Sequence, residues 1–150
     1  MNKDLLERRY KRIYNQLSDL LLKTNDRIAR MATIVALLHH KMPHFFWTGF
    51  YRIVNGELIV GPYQGPLACQ VLEKNKGVCW ACINRRETII VPDVEKFPGH
   101  IACDPRSRSE ITVPLWEDNK VYGVLDVDSK ELNAFCEIDR FWLEKIVKLL

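Results

Sequence analysis

Nowhere in the chain do apolar residues run on for the roughly 18 positions that a membrane-spanning helix requires. No apolar core of a secretory signal is present either. Met1 to Arg12 interleave charged and apolar side chains, so the expected compartment is the cytoplasm. Excess charge of one sign is missing: the formal net charge is +3, too small to point to nucleic acid. The most basic stretch, Arg8, Arg9, Lys11 and Arg12, is broken up by Asp4 and Glu7 and reads as a solvated helix face. Repeats, low-complexity tracts and linkers are absent, which leaves a single domain over residues 1–150, opened by a helix within 1–22. An even cysteine count is lacking as well. Five cysteines in a reducing compartment argue against a structural disulfide framework and leave metal binding, catalysis or burial.

What is present is well punctuated. Leu6, Tyr10, Ile13, Leu17, Leu20 and Leu21 recur at helical spacing and predict a helix over 4–22. Thr24-Asn25-Asp26 offers an N-cap for a second helix, marked by Ile28, Met31, Val35 and Leu38 and ending before Pro43. Phe45 to Val54 is aromatic and β-branched. Asn55-Gly56 then predicts a hairpin turn, and Glu57 to Val60 the partner strand, with Gly61 and Pro62 breaking it. Gly65 and Pro66 put Cys69 in or just after a loop. Val78 to Arg86 reads as a short helix, Thr88 to Val91 as a buried strand, and Pro92 to Ser109 as a long loop of a functional kind. Glu110 to Trp116 and Val121 to Val127 form a hairpin around Asp118-Asn119. Ile138 to Leu150 closes the chain as an amphipathic helix whose stripe is Phe141, Leu143, Ile146, Val147 and Leu150. Terminal helices around hairpins predict an α+β domain on a mostly antiparallel sheet.

Four features could carry chemistry. Cys79 and Cys82 are spaced C-x2-C, and His100 and Cys103 H-x2-C, which together would serve tetrahedral zinc in an interaction module. Cys103 also sits in a Gly/Pro-bounded loop near His100, Arg106 and Arg108, cationic neighbours that favour a thiolate, with Asp104 opposing them. Cys136 and Cys82, beside large apolar residues, read as packing. Asp126 and Asp128 lie two apart in an otherwise apolar strand, so both carboxyls share a face, and like charges there raise at least one pKa into the range of a proton donor. A strict hairpin through Asp118-Asn119 points Glu110 to the opposite face. Glu110 joins the aspartates only through an odd loop, a bulge, or a place outside the pairing. Trp47, Gly49 and Tyr51 alternate along one strand face, where Trp47 serves a small apolar pocket or the core equally well.

Seven segments together resemble the free methionine-R-sulfoxide reductases, a family built on a GAF domain. They are Trp47 to Tyr51, Gly61 to Gly65, Gly77 to Cys79, Val91 to Val94, Phe97 to Asp104, Ser107 to Ile111 and Gly123 to Ser129. The resemblance runs from about Met31 to the C-terminus. It implies a central antiparallel sheet with the terminal helices on one face and the active-site pocket on the other. It implies catalytic roles for Cys103 as attacking nucleophile and Cys69 as resolving thiol, with Cys79 as an alternative partner or part of recycling. It also implies a substrate pocket of Trp47, Tyr51, Glu110, Asp126 and Asp128. Cys82 and Trp80 depart from the small residues the family more often has there, and Cys82 could add a further thiol partner.

The activity implied by the resemblance is reduction of free methionine-(R)-sulfoxide to methionine. The route passes through a Cys103 sulfenic acid and a Cys69–Cys103 disulfide, recycled by thioredoxin with electrons ultimately from NADPH, and needs no metal or other cofactor. That pairing demands a Cα separation of roughly 4.4–6.8 Å. The apolar stripes of the first and last helices permit a homodimer, and no nucleic acid or membrane partner is expected. The alternatives are a non-catalytic GAF small-molecule sensor, which would not need three placed cysteines, and the zinc-stabilised interaction module.

Overall fold

Asn2 starts the first helix, accepting hydrogen bonds from the backbone N–H groups of Asp4 and Leu5 through its side chain. In the computed structural model, which describes residues 1–100 and 103–150, this helix α1 spans Lys3–Leu20 and runs on into a 3-10 turn at Leu21–Lys23. Asp26 caps α2, Arg27–Lys41. The described residues then add strands β1 (Trp47–Val54), β2 (Glu57–Gln64) and β3 (Val71–Leu72), helix α3 (Gly77–Arg85), strand β4 (Ile89–Val91), strands β5 (Ser109–Glu117) and β6 (Lys120–Ser129), and helix α4 (Glu137–Val147). No helix among them is long and apolar enough to cross a membrane.

The strands form one antiparallel sheet in the order β3-β2-β1-β6-β5-β4. Two hairpins are closed by residues with positive φ, Asn55-Gly56 and Asp118-Asn119, the geometry whose twist matches paired strands. Side-chain alternation divides the sheet into two cores. On one face Phe50, Ile111, Val113, Leu115, Leu125 and Val127 pack against Leu6, Tyr10, Ile13 and Leu17 of α1, Met31, Ile34, Val35 and Leu38 of α2, and Leu143 and Ile146 of α4. Each fully buried aliphatic side chain there contributes roughly 1.5–3 kcal/mol. Tyr10 and Asp139, both buried, join α1 to α4 by a 2.6 Å hydrogen bond donated by the tyrosine hydroxyl. The other face carries Trp47, Tyr51, Leu58, Val91 and Val124, covered by Val78, Cys79, Trp80 and Cys82 from α3.

Local reading and structure differ in several places, among them the two-residue strand β3, which no local pattern announces. β2 does not stop at Gly61 but continues to Gln64, because a bulge sets Gly61 and Pro62 against the single residue Phe50; a bulge tolerates a residue with no N–H to donate. Phe141 is 57% exposed, and Trp142 takes its place in the buried stripe of α4 with Leu143, Ile146 and Val147. At 100° per residue Phe141 lies about 200° from Leu143, on the far side of the helix. Leu20 and Ile28 likewise face outward. The segment 92–109 is not wholly structureless: Asp93 caps a 3-10 turn at Val94–Lys96. Ile101 and Ala102 of the His100–Cys103 motif lie outside the described residues.

Candidate active site

The face of the sheet opposite α1, α2 and α4 carries a pocket whose floor begins with β1. Trp47 and Tyr51 point into it from alternate positions, their rings stacked at 5.7 Å, and Tyr63 of β2 also stacks with Trp47 at 5.4 Å. Between them in sequence, Gly49 makes the stacking feasible. A Cβ there would lie 2.4 Å from the Cβ of Tyr63 and 2.5 Å from the Trp47 ring, so only glycine leaves the indole its place. Trp47 is 5% exposed, and its Nε1 has no hydrogen-bond partner among the described residues. The Tyr51 hydroxyl donates to the Cys69 carbonyl at 3.0 Å and ties the floor to the Cys69 loop.

The acidic wall depends on a register shift. Near the turn Trp116 pairs with Val121, but Leu115 pairs with Gly123, leaving Tyr122 as an extra residue in β6. From that point Thr112 faces Asp126 and Glu110 faces Asp128, and all three acids line the pocket. Of the three routes by which Glu110 could converge with the aspartates, the protein uses the bulge. Burial is the leading cause that raises the pKa of each carboxyl. Asp126 is pushed up to about 6, with the protonated groups of Glu110 and Cys79 beside it limiting the rise. Glu110 and Asp128 are driven well above the ordinary carboxylate range, by burial first and by the neighbouring carboxylates second. Such a cluster retains protons at neutral pH.

The cysteines separate into distinct environments. Cys69 and Cys103 form a disulfide with a Cα separation of 5.6 Å, bridging two pocket-lining loops. Cys79, in the first turn of α3, is buried beside Asp126 and Glu110. Burial and then those carboxylates hold its thiol well above its ordinary pKa, so it stays protonated. Cys82 is fully buried, as a packing residue would be, with its thiol raised to about 12 mainly by burial. Cys136 is half-buried at the N-cap of α4. The ligand set of the zinc module does not assemble: the Cys103 sulfur is bonded to Cys69, and Cys79 turns to Glu110 and Asp126 instead. The cationic setting read around Cys103 is also thinner than its sequence. Burial lowers the pKa of His100, and Arg106 is held by Asp104 through contacts of 2.8 and 3.0 Å.

Two contributors are not evident from local reading. The start of α3 opens into the pocket at Lys76, Gly77, Val78 and Cys79, and no side chain caps this end. Free N–H groups at a helix start attract anions. The available signal was Gly77 directly before an apolar helical run with no Ser, Thr, Asp or Asn immediately ahead of it. Ser107 lines the pocket and hydrogen-bonds Asp128, a contact that no motif predicts. With the disulfide closed, the free volume is about 50 Å³, room for an ion or a water or two.

A GAF domain family model matches residues 13–150. GAF domain-containing protein A of Dictyostelium discoideum is 46% identical over 100% of this chain and 95% of its own length. The free methionine-R-sulfoxide reductase of Escherichia coli is 38% identical over 82% of this chain and 74% of its own. Among solved structures, free methionine-R-sulfoxide reductase from Neisseria meningitidis in complex with its substrate superposes with a TM-score of 0.90 at 38% identity, covering 93% of this chain and 84% of the other.

Proposed function

The chain belongs to the GAF-domain free methionine-R-sulfoxide reductases, and from that premise we propose how its own residues reduce free methionine-(R)-sulfoxide. The observation that carries the reading is the convergence of a disulfide-forming cysteine pair with buried, proton-holding carboxyls and an aromatic wall in one pocket. Trp47 receives the S-methyl group. The open start of α3 receives the substrate carboxylate, which a peptide-bound residue would lack.

A sulfoxide oxygen is a poor leaving group until protonated. Glu110, backed by Asp126 and Asp128, donates that proton. The Cys103 thiolate attacks the sulfoxide sulfur and forms a transient sulfur–sulfur bond. The protonated oxygen then passes to the Cys103 sulfur as that bond and the substrate's sulfur–oxygen bond break, releasing methionine and leaving Cys103 as the sulfenic acid. The Cys69 thiol then condenses with it, releasing water and forming the disulfide. A thioredoxin-type dithiol reopens the bridge by exchange and is itself oxidised.

The experiment is an NADPH-coupled thioredoxin assay on the separate epimers of free methionine sulfoxide and on a peptide-bound sulfoxide. Turnover of the free R epimer alone is expected. Turnover of the peptide-bound form would overturn the free-substrate reading. Silence with both free epimers would return the chain to a ligand-binding GAF domain.

A further inference from the structure

Cys79, Glu110 and Asp126 present a sulfur and two carboxylate oxygens that all lie within 4.8 Å of one another, and all three residues are buried. Around a tetrahedral cation with bonds of about 2.0–2.3 Å, neighbouring ligand atoms stand about 3.3–3.8 Å apart. A bound of 4.8 Å leaves the trio at most about 1.5 Å to close, within the reach of side-chain rotation. A second observation points the same way: Asp126 is 6% exposed, and its Oδ1 has no hydrogen-bond partner among the described residues. A buried acceptor left without a donor is the kind of group a cation would satisfy. We propose that Cys79, Glu110 and Asp126 form a binding site for a soft divalent cation, Zn²⁺ above all, with the fourth coordination position open to the pocket.

The chemistry of the donors sets the choice of metal. A thiolate ligand favours zinc over magnesium or calcium, and three protein ligands with one open position match exchangeable zinc sites rather than closed structural ones. His100, whose Nε2 lies 3.8 Å from Oε2 of Glu110, or water can take the open position. No redox change is involved. The metal displaces the thiol proton of Cys79 and the proton held by Glu110, and these pass to solvent. The set includes neither Cys69 nor Cys103, so the site persists whether or not their disulfide is closed. On the reductase reading, bound zinc occupies the acids that must protonate the sulfoxide oxygen and competes with substrate.

The test uses Co²⁺ as a spectroscopic probe on the full chain with the Cys69–Cys103 disulfide closed. One equivalent of Co²⁺ should produce a thiolate-to-cobalt charge-transfer band and tetrahedral visible bands, both bleached by Zn²⁺. Cys79→Ser should lose the charge-transfer band. Asp126→Asn, which keeps the side-chain shape, should keep that band but weaken binding by at least the roughly 10- to 100-fold that even outer-shell partners supply. Cys82→Ala should bind as the unmodified chain does. Absence of the band in the unmodified chain, its survival in Cys79→Ser, or equal binding in Asp126→Asn would overturn the proposal. Circular dichroism on each variant separates loss of a ligand from loss of fold. None of these readouts uses turnover, so a failed metal site and a failed reductase reading are told apart.

Discussion

Glu110 stands directly across the β5–β6 ladder from Asp128, and it does so because Tyr122 is one residue too many for a regular hairpin. Without that bulge the pairing parity would match Glu110 to Val127, and its carboxyl would point into the core beneath α1, α2 and α4. A single extra residue thus assembles the acidic wall on which the proposed proton transfer depends.

The two bridged cysteines should fail differently. Cys103→Ser should show no turnover and no first release of methionine. Cys69→Ser should release about one methionine per chain and then stall as the sulfenic acid. Counting methionine in a single-turnover experiment checks both, and equal loss of the first release in the two variants would contradict the assigned roles.

The carboxyls carry a second expectation. Glu110→Gln cannot transfer a proton and should lower kcat by roughly 10²–10⁴, the usual worth of a general acid. In the unmodified chain the acid must be protonated, so kcat/KM should fall as pH rises past the titration of the cluster, whose lowest-lying member, Asp126, titrates at about 6. A pH–rate profile in which Glu110→Gln keeps an unchanged alkaline limb would reassign the proton donor.

Stability should follow the same groups with a definite sign. The folded pKa of Asp126 lies at about 6, above the ordinary aspartate value of 3.8, so between those values the folded state binds more protons than the unfolded one. The stabilising contribution is therefore present in full below about pH 4 and is lost as pH rises through 6, with Glu110 and Asp128 extending the loss upward. Urea unfolding across that range should show a decline that Asp126→Asn flattens. An equal slope in the variant would mean that other groups control it.

Gly49 gives the fourth. Gly49→Ala places a methyl group 2.5 Å from the Trp47 ring, and the indole must shift or the strands must part. Overpacking of this kind costs about 1–3 kcal/mol. Thermal unfolding should register it, and KM should rise more than kcat falls if Trp47 holds the methyl group. A variant with unchanged Tm and KM would show that the ring has room to move.

The legible part of this protein lay in local patterns. Helical spacing located α1, α2 and α4, and Asn55-Gly56 and Asp118-Asn119 located both hairpin turns, since turn chemistry and periodicity act within a few residues. The same alternation showed that Asp126 and Asp128 share a face with each other. It failed at Gly61-Pro62, where a bulge absorbed two residues that usually end a strand, and at Phe141, where a continuous apolar run hid which residue faced inward.

By itself, then, the sequence determined the order of the helices and of every strand but the two-residue β3, and the kinds of side chain available for chemistry, consequences of short-range backbone preference and side-chain period. The family motifs named the cysteines and acids and implied the Cys69–Cys103 pairing, which the 5.6 Å Cα separation meets, but they did not say how the acids converge. Only the tertiary structure decided that Glu110 turns toward Asp128 and that the uncapped start of α3 opens beside them. Loop closure and strand register depend on the summed packing of the whole sheet and both its faces, and no local window of residues contains that sum.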